Sequence, residues 1–428
     1  MKKIAICIPT YNRAEMVKDI CNKIDRTINS DFFDVFIYDS STGTKTKDAL
    51  SDKIQKKYFF YLSVPNLLHS SDKLYSIYQD CHIQNEYEYL WILPDYYFVS
   101  KKVIKSILEI VNEKWDMVML DFFDTEKKGC KPYENPNQIF FEFAWSMTLF
   151  GILIINCETV LKNADWKYFR DKYLNDKYRN FFHLIMYFER MIQINNLKFY
   201  HFSVPEGHRH ISEYRKRQSE YLDDFLAVWG RCWYESIYAL PKIYTNKDCV
   251  IRKACIYTGS LGKKNLAYLR VRGVFTGKIY REYKAIWKVI STVNFPNILL
   301  ILLLPRNIVK IIAEYGSLRK WIIHIISLKK LEKFCGDYNK LYLYGAGVKG
   351  VRMSELLEEK AIQFESFVVS NLSEEVMTLK GHNVIELSQL ENTPDTGIIL
   401  SLNEKNKKQV SHLLDEKGFE NIFELEIV

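Results

Sequence analysis

The sequence predicts an α/β protein with a large and a small α/β domain and a helical region between them. Three observations predict this fold class. Near-continuous apolar runs alternate with amphipathic helical patterns over residues 1–125, which is typical of a parallel sheet covered on both faces. Helical patterns dominate residues 217–330. From the glycine loop YGAGVKG at residues 344–350 onwards, strand and helix patterns alternate again.

Five apolar runs in the large domain are predicted strands. They are KIAICIPT (3–10), FDVFIYDSS (33–41), YFFYLSVP (58–65), EYLWILPD (88–95) and DMVMLDFF (116–123). Helical periodicity between them predicts a helix that ends at Thr27 and helices over 72–82 and 100–113. FGILIINCETV (150–160) predicts a further strand that leads into a helix.

The composition is that of a globular, multidomain protein. The chain has 428 residues, of which 48% are hydrophobic and 15% aromatic. Its net charge of +8 is compatible with phosphate-bearing ligands or an anionic membrane surface, and too small to indicate a nucleic-acid partner. The nine cysteines form no C-x-x-C pair, and the sequence begins with a strand pattern rather than a signal peptide. We therefore expect a cytoplasmic protein with free thiols.

Polar residues follow four of the predicted strands. They occupy positions 9–13, 39–44, 66, 69–73 and 94–97. In an open α/β sheet, ligands bind outside the carboxyl ends of the strands, so these residues predict a binding site. Arginine and lysine at such a site suit phosphates, and carboxylates suit ribose hydroxyls, a base edge or a divalent cation. Each carboxylate taken alone is equally consistent with a helix cap. The first strand is not followed by G-x-G-x-x-G, which argues against a dinucleotide fold in this domain.

The first two strands carry a resemblance to a known family. IAICIPTYNRAEMV followed by FDVFIYDSSTGTKT resembles the start of the family 2 glycosyltransferases, which are inverting enzymes with the GT-A fold, and the likeness extends over residues 1–205. It implies a UDP-sugar donor. The nucleotide-binding residues that it implies are Pro9, Thr10, Tyr11, Arg13, Asp39, Ser41, Asp72 and Lys73. Position 43 is glycine where the family often has aspartate.

The resemblance also implies a Mn or Mg ion. The family usually has Asp-x-Asp after a hydrophobic strand, whereas WILPDYYFVS leaves Asp95 alone. One carboxylate suffices in principle, because the diphosphate and water supply further oxygens. The likeness to GT-A enzymes suggests His208 or His210, in PEGHRHISEYRKRQ, as an additional ligand. The basic residues of that segment would then close over phosphates: Arg209, Arg215, Lys216 and Arg217. The alternatives are an inactive site and a solvated basic turn.

A direct displacement needs a base for the proton of the acceptor hydroxyl. Alignment of FFHLIMYFERMIQINNLKFYHFS with the family pattern places His183 where an acidic pair usually stands. An imidazole is a suitable base at neutral pH, although a histidine on an apolar helix face is also typical of a protein core. Glu189, Asp121 and Asp124 are the alternative bases.

The small domain is predicted to be Rossmann-like. Gly345, Gly347 and Gly350 follow a strand and precede a helix, which fits a dinucleotide fingerprint. Ser370 and Asn371, however, stand where an NAD ribose prefers an acidic residue. We therefore favour a vestigial or regulatory nucleotide pocket, and glycines that serve only the turn and the helix packing are the alternative. The predicted domains are 1–215, a helical extension at 216–331, and 332–428.

The helical region has features of a membrane-surface segment. FPNILLILLLP (295–305) is too short to span a bilayer. Residues 306–334 are amphipathic and basic, with Trp287 and Trp321 as candidate interfacial anchors. A helix pair that packs on the two domains is the alternative. VWGRCWYESIYALPKIYTNKDCVIR (228–252) resembles the helical extension of certain bacterial capsule glycosyltransferases.

These features together predict an inverting glycosyltransferase of the hexosyltransferase type. It would move a sugar from a UDP-sugar to a lipid-linked or other glycan acceptor in capsule or surface polysaccharide biosynthesis, at the inner face of the cell membrane. One alternative is a catalytically degenerate nucleotide- or glycan-binding protein. The other is a sugar-nucleotide-modifying enzyme that uses NAD in the small domain. The oligomeric state is open between a monomer and a homo-oligomer.

Overall fold

A computed structural model gives the structure of residues 2–65, 69–123, 129–205, 207–212, 214, 224–315, 318–371 and 378–424. The chain forms two compact units, Met1–Arg306 and Asn307–Val428. Most of the predicted helical region belongs to the first unit. The three-part division at residues 215 and 331 stays a prediction.

The first unit is built on a mixed sheet. Its described strands are β1 (Lys2–Thr10), β2 (Phe33–Asp39), β3 (Phe59–Ser63), β4 (Tyr87–Ile92), β5 (Tyr97–Val99), β6 (Met117–Asp121), β7 (Lys131–Tyr133), β8 (Leu153–Asn156), β9 (Phe199–Ser203) and β10 (Arg209–Ile211). Eight of them form one sheet in the order β3-β2-β1-β4-β8-β6-β9-β7. β1 to β4 are parallel. β8 is antiparallel to both β4 and β6, so β6 points in the same direction as β4.

Helices alternate with the strands of this sheet along the chain, and more helices come after its last strand. Those described are α1 (Ala14–Thr27), α2 (Lys45–Ala49), α3 (Ser51–Ile54), α4 (Ser70–Tyr78), α5 (Cys81–Glu86), α6 (Lys101–Val111), α7 (Pro136–Phe143), α8 (Trp166–Tyr173), α9 (Phe182–Met191), α10 (Trp233–Ala239), α11 (Lys247–Thr258), α12 (Lys263–Val271), α13 (Gly277–Tyr283), α14 (Trp287–Ile290) and α15 (Phe295–Leu303). Short 3₁₀ segments cover Ser146–Thr148 and Arg179–Phe181, and π-helical turns cover Cys157–Leu161 and Ala227–Cys232.

The core explains the continuous apolar runs of the sequence. Every residue of β2 is buried, and so is the run from Ile4 to Ile8 in β1, because helices lie on both faces of these strands. α1 buries Val17, Ile20, Cys21 and Ile24 against the sheet. Their spacing of i, i+3, i+4 and i+7 places them on one face of the helix.

The second unit contains a smaller α/β sheet. Its elements are α16 (Arg306–Tyr315), which begins at the boundary, α17 (Leu318–Asp337), β11 (Lys340–Tyr344), α18 (Val348–Glu359), β12 (Ser366–Val369), β13 (Thr378–Leu379), β14 (His382–Glu386), β15 (Thr396–Leu400), α19 (Glu404–Glu416) and β16 (Ile422–Glu424), with a 3₁₀ turn at Leu387–Gln389. The strand order is β13-β14-β12-β11-β15-β16, and every pair except β13–β14 is parallel. Two apolar clusters, one on each face of this sheet, form its core.

The predicted fold class is confirmed: the protein is α/β, with a sheet dominated by parallel strands, a helical region and a small separate α/β unit. One predicted helix, 72–82, differs. It is divided into α4 and α5, because the side chain of Asp80 accepts a hydrogen bond from the backbone N–H of His82 at 2.9 Å and begins a new helix there. Among the described residues, no helix combines the length and the apolar character that crossing a membrane requires.

Candidate active site

The carboxyl ends of β2, β1 and β4 form the candidate site. Thr10 ends β1 and pairs with Asp39 at the end of β2. The chain continues from β4 to Asp95, and Lys73 reaches the same place from α4. Parallel neighbouring strands end at one edge of a sheet, which is why residues far apart in the sequence meet here. We refer to Thr10, Arg13, Asp39, Lys73 and Asp95 as the rim.

Asp95 is a buried carboxylate held by two groups of the β1 loop. Its Oδ2 accepts a hydrogen bond from Thr10 Oγ1 at 2.7 Å, and its Oδ1 is 3.0 Å from Nη1 of Arg13. Burial raises the pKa of Asp95, while Arg13, the Thr10 hydroxyl and Lys73 oppose that shift. The ionised form of Asp95 therefore depends on the cations that surround it.

Lys73 is a buried cation beneath the polar loops. Its Nζ donates hydrogen bonds to the carbonyl oxygen of Thr10 at 3.0 Å and to Ser40 Oγ at 2.9 Å. Burial lowers the pKa of Lys73, and the charges of Asp95 and Asp39 oppose that shift. Within the described part of the chain these two bonds engage two of the three ammonium N–H groups. The ring of Tyr11, which is 48% exposed, has its centroid 6.0 Å from Nζ.

Asp39 organises the loops after β1 and β2. Its Oδ1 accepts from the backbone N–H of Ser41 at 2.9 Å and from the Ser41 hydroxyl, and its Oδ2 accepts from Tyr61 Oη at 2.7 Å. Ser41 Oγ in turn accepts from the backbone N–H of Asn12 at 2.7 Å. Ser40 is among the polar residues that predict the site, but its contact with Lys73 and the contact of Tyr61 with Asp39 depend on the position of α4 and on strand pairing. No local motif indicates these two contacts.

Two other residues implied by the resemblance have structural partners. Asp72 closes a capping box at the start of α4, where its Oδ2 accepts from the backbone N–H of His69 at 3.0 Å. Pro9 lies within β1 and pairs with Tyr38 of β2. Binding of a nucleotide by either residue stays a prediction.

The histidines proposed as metal ligands lie along a different strand pair. β5 and β10 are antiparallel, with His210 opposite Phe98, and His208 Nδ1 is 2.7 Å from Ser100 Oγ. Asp95 precedes β5 and Ser100 follows it. Because His208 contacts Ser100, it lies at the end of β5 that is farther from Asp95. Burial, Lys23 and His208 lower the pKa of His210. The guanidinium carbon of Arg209, between the two histidines, lies 5.8, 5.3 and 5.4 Å from the ring centroids of Tyr97, Phe122 and Phe123.

The described residues do not fit a divalent cation. Mg and Mn prefer several oxygen ligands, and no group of three His, Cys, Asp or Glu side chains suited to a metal occurs in the described ranges. Both oxygens of Asp95 already have donors, and the charged groups beside it are Arg13 and Lys73. We therefore derive no chemical step through a metal. Arg215, Lys216 and Arg217 lie outside the described residues.

Two of the candidate bases are enclosed by protein. His183 on α9 is buried, its Nε2 is 3.2 Å from the carbonyl oxygen of Met147, and burial lowers its pKa to about 4. Glu189 on the same helix accepts hydrogen bonds from the hydroxyls of Tyr173 and Tyr168. Asp124 lies outside the described residues.

Asp121, the other candidate base, ends β6 at the same edge of the sheet as the rim. Because β4 and β6 are separated only by β8, their ends are about 10 Å apart at the usual strand spacing. Asp121 Oδ2 is 3.0 Å from His201 Nε2, and His201 Nδ1 donates to the carbonyl oxygen of Gly129 at 2.7 Å. Asp121 is buried, and its Oδ1 accepts a hydrogen bond from the backbone N–H of Phe123 at 2.8 Å.

Gly151 supports the turn that carries Asp95. Its φ is +98°, and a Cβ there would lie 2.4 Å from Tyr97 Oη and 2.5 Å from Pro94 Cδ. Trp91 Nε1 donates to its carbonyl oxygen at 2.8 Å. The turn after β4 therefore packs directly on the backbone of residue 151, and only glycine allows that approach.

We expect Gly151→Ala to destabilise the first unit strongly. Backbone strain and the two steric clashes together should lower the free energy of unfolding by about 3 kcal/mol or more. Gly259→Ala is the matched control, because Gly259 also has a positive φ, +72°, but no heavy atom lies within 4 Å of its Cβ position. It should cost only about 1 kcal/mol. Urea unfolding measures both, and equal losses would contradict the packing role of Gly151.

Comparison with known proteins gives matches among solved structures. No protein-family model matches the chain, and no curated protein is similar to it. It is similar to residues 1–349 of TarS from S. aureus, with 12% identity and a TM-score of 0.42 over 74% of this chain and 92% of that chain. It is also similar to the mannosyltransferase PcManGT from Pyrobaculum calidifontis, with 10% identity and a TM-score of 0.36 over 74% and 88%.

A third solved structure is glucosyl-3-phosphoglycerate synthase from Mycobacterium tuberculosis, with 10% identity and a TM-score of 0.36 over 56% of this chain and 81% of that chain. The solved complexes contain UDP-GlcNAc for TarS, GDP-Man and Mn²⁺ for PcManGT, and UDP and Mn²⁺ for the synthase.

Proposed function

We propose that the first unit is a GT-A-type glycosyltransferase that transfers a sugar from a nucleoside diphosphate sugar, preferentially a UDP-sugar, to a glycan hydroxyl. The observation that supports this function is the rim. It combines two cations and two buried carboxylates at the carboxyl ends of three adjacent parallel strands. The loop after β1 has the sequence Pro-Thr-Tyr-Asn-Arg, which is the motif of the family 2 resemblance.

The cations of the rim suit the leaving group of this reaction. When the bond from the anomeric carbon to the diphosphate breaks, negative charge develops on the phosphate oxygens. Arg13 lies at the N-terminus of α1 and is oriented by Asp95, and Lys73 is fixed by Thr10 and Ser40. Because both cations are already positioned, little reorganisation accompanies the charge development. Tyr11 offers an exposed ring beside them for the base of the nucleotide.

Asp121 is our proposed base, because its strand ends at the same edge as the rim. In the proposed step, the acceptor oxygen forms a bond to the anomeric carbon and its proton passes to the Asp121 carboxylate. The bond from that carbon to the diphosphate breaks on the opposite side, and the nucleoside diphosphate leaves with the electron pair. A single displacement of this kind inverts the anomeric configuration, as the resemblance to family 2 implies.

A donor screen tests the proposed function. The full chain is incubated with UDP-, GDP- and ADP-sugars and with glycan and lipid-linked acceptors, in parallel with Mn and with a chelator. Mass spectrometry then measures release of the nucleotide and gain of the sugar. We expect transfer from at least one UDP-sugar. Binding of UDP without transfer from any donor would instead support a degenerate nucleotide-binding protein.

We also propose that the enzyme acts in surface polysaccharide biosynthesis at the inner face of the cell membrane. An apolar face of α15 would contact the bilayer. Phe295, Leu299, Leu300 and Leu303 are all exposed, and Leu303 is 78% exposed. Between residues 263 and 303, the chain has eight lysines and arginines and one glutamate. An apolar stripe in such a basic region suits an anionic bilayer surface. Trp287, a candidate anchor in the sequence, is buried instead.

We expect the double substitution Leu299→Gln and Leu303→Gln to weaken binding to phosphatidylglycerol vesicles at least about tenfold, because two leucine side chains no longer enter the bilayer. Vesicle co-sedimentation measures the change. Ile256→Gln on α11 is the control, since Ile256 is 58% exposed and lies outside α15. Equal binding by the double variant and the control would show that α15 makes no membrane contact.

A further inference from the structure

The second unit contains a cavity that the proposed sugar transfer does not use. It has a volume of about 940 Å³ and lies at the carboxyl ends of β11, β12 and β15. Its walls are the glycine loop after β11, the end of β12 with Val369 and Ser370, Leu402 after β15, and one side of α19. β11 has β12 on one side and β15 on the other, so the cavity lies where the strand order reverses. This is the position at which open α/β sheets bind ligands.

Two of the three loop glycines are required by the fold. Gly345 has a φ of +111°, and a Cβ there would lie 2.9 Å from the carbonyl oxygen of Ser401. A Cβ on Gly350 would lie 1.8 Å from the carbonyl oxygen of Gly345. The first glycine therefore allows the turn after β11, and the second allows α18 to approach that turn.

The fold does not require the third glycine, Gly347. Its φ is −88°, which any residue adopts, and no heavy atom lies within 4 Å of its Cβ position. Gly347 lines the cavity and precedes α18, a helix of twelve residues. Because Gly347 has no side chain, the N-terminus of α18 adjoins a part of the cavity that a ligand can enter. The backbone N–H groups and the dipole of a helix N-terminus favour a phosphate.

Polar side chains of α19 form another part of the lining. Lys408 and Gln409 of α19 also line the cavity and add polar donors to it.

The lining indicates which class of ligand fits. A volume of this size accommodates a nucleotide, and Val369, Leu402 and Leu413 give the cavity an apolar wall for a base. The end of β12 has Ser370, whose Oγ lies 2.7 Å from Tyr344 Oη, and no acidic residue occurs among Val369, Ser370 and Asn371. An NAD ribose prefers a carboxylate at this point.

From these observations we propose that the cavity binds a nucleoside mono- or diphosphate, with its phosphate at the N-terminus of α18 beside Gly347 and its base against the apolar wall. The site is distinct from the rim, lies in the other compact unit and does not depend on the proposed transfer reaction. It binds a nucleotide without NAD-dependent redox chemistry.

A matched pair of substitutions at Gly347 tests this site in the full chain. Gly347→Asp and Gly347→Asn introduce side chains of nearly equal size at a position with free space, and both residues are good N-caps, so both variants should fold. They differ in charge. The aspartate would repel a phosphate at the end of α18, and the asparagine would not.

Calorimetric titration with ADP, GDP, CDP, UDP and NAD gives the readout, with thermal unfolding as the check on folding. We expect the wild type to bind at least one nucleoside diphosphate more tightly than NAD. Gly347→Asn should bind this nucleotide with an affinity within about threefold of the wild type. Gly347→Asp should bind it at least about tenfold more weakly, which corresponds to about 1.4 kcal/mol for one unfavourable charge contact.

Three results would overturn the proposal: no binding of any of these nucleotides, tighter binding of NAD, or equal affinities of the two Gly347 variants. UDP is also the product expected at the rim, so its titration is repeated with Asp95→Asn. Binding that responds to Gly347→Asp belongs to the second unit, and binding that responds to Asp95→Asn belongs to the first. The donor screen therefore decides the transfer function independently of this result.

Discussion

Asp95→Asn should lower kcat/KM for the sugar donor at least about 100-fold, which corresponds to about 2.7 kcal/mol of lost transition-state stabilisation. The amide keeps the size of the side chain and an oxygen for the Thr10 hydroxyl. It loses the ion pair with Nη1 of Arg13 at 3.0 Å and the negative charge that favours the ammonium form of Lys73. Both cations that we assign to the diphosphate are therefore less well positioned. Steady-state kinetics with the donor found in the screen measures the effect.

Asp116→Asn is the matched control for this prediction. Asp116 is also buried and accepts a hydrogen bond, from the backbone N–H of Lys198 at 2.8 Å, but it precedes β6 and so lies at the opposite edge of the sheet. Its substitution should affect stability more than kcat/KM. If Asp95→Asn transfers sugar at the wild-type rate while folded, the rim is not the donor site.

The sheet and its rim could largely be predicted from the sequence, because each depends on local patterns. The apolar runs of β1, β2 and β4 are buried on both faces, and polar residues follow each run. Parallel strands then bring Thr10, Asp39 and Asp95 together without further information. Asp72 illustrates the ambiguity of a carboxylate in a loop, since its side chain caps α4.

The environments of the histidines and of the candidate bases could not be predicted, because they depend on long-range pairing. The antiparallel pair of β5 and β10 sets His208 beside Ser100, and nothing within PEGHRHISEYRKRQ specifies that register. Every residue of α9 is buried, and its sequence does not reveal that the carbonyl oxygen of Met147 contacts His183. The direction of β6 places Asp121 at the same edge of the sheet as the rim, and this direction follows from the insertion of β8 into the sheet.

The direction of β6 is also the basis of the second prediction, which concerns Asp121. Asp121→Asn should reduce the transfer rate about 10²–10⁴-fold, the range expected for loss of a general base, and leave the affinity for UDP nearly unchanged because Asp121 lies away from the cations of the rim. His183→Gln should retain most of the activity, since His183 Nε2 faces the carbonyl oxygen of Met147 inside the core. Single-turnover transfer and UDP titration separate the two effects.

Asp121→Asn also breaks the contact with His201 at 3.0 Å, so a loss of transfer could result from lower stability instead of loss of the base. A second variant separates these two explanations. His201→Gln breaks the same contact and keeps the carboxylate. If the carboxylate removes the proton of the acceptor, His201→Gln retains transfer at a rate well above that of Asp121→Asn, even where the two variants lose similar stability in urea. Equal losses of transfer in these two variants would show that Asp121 and His201 act only in stability. A larger loss of transfer in His183→Gln would indicate that His183 on α9 is the base.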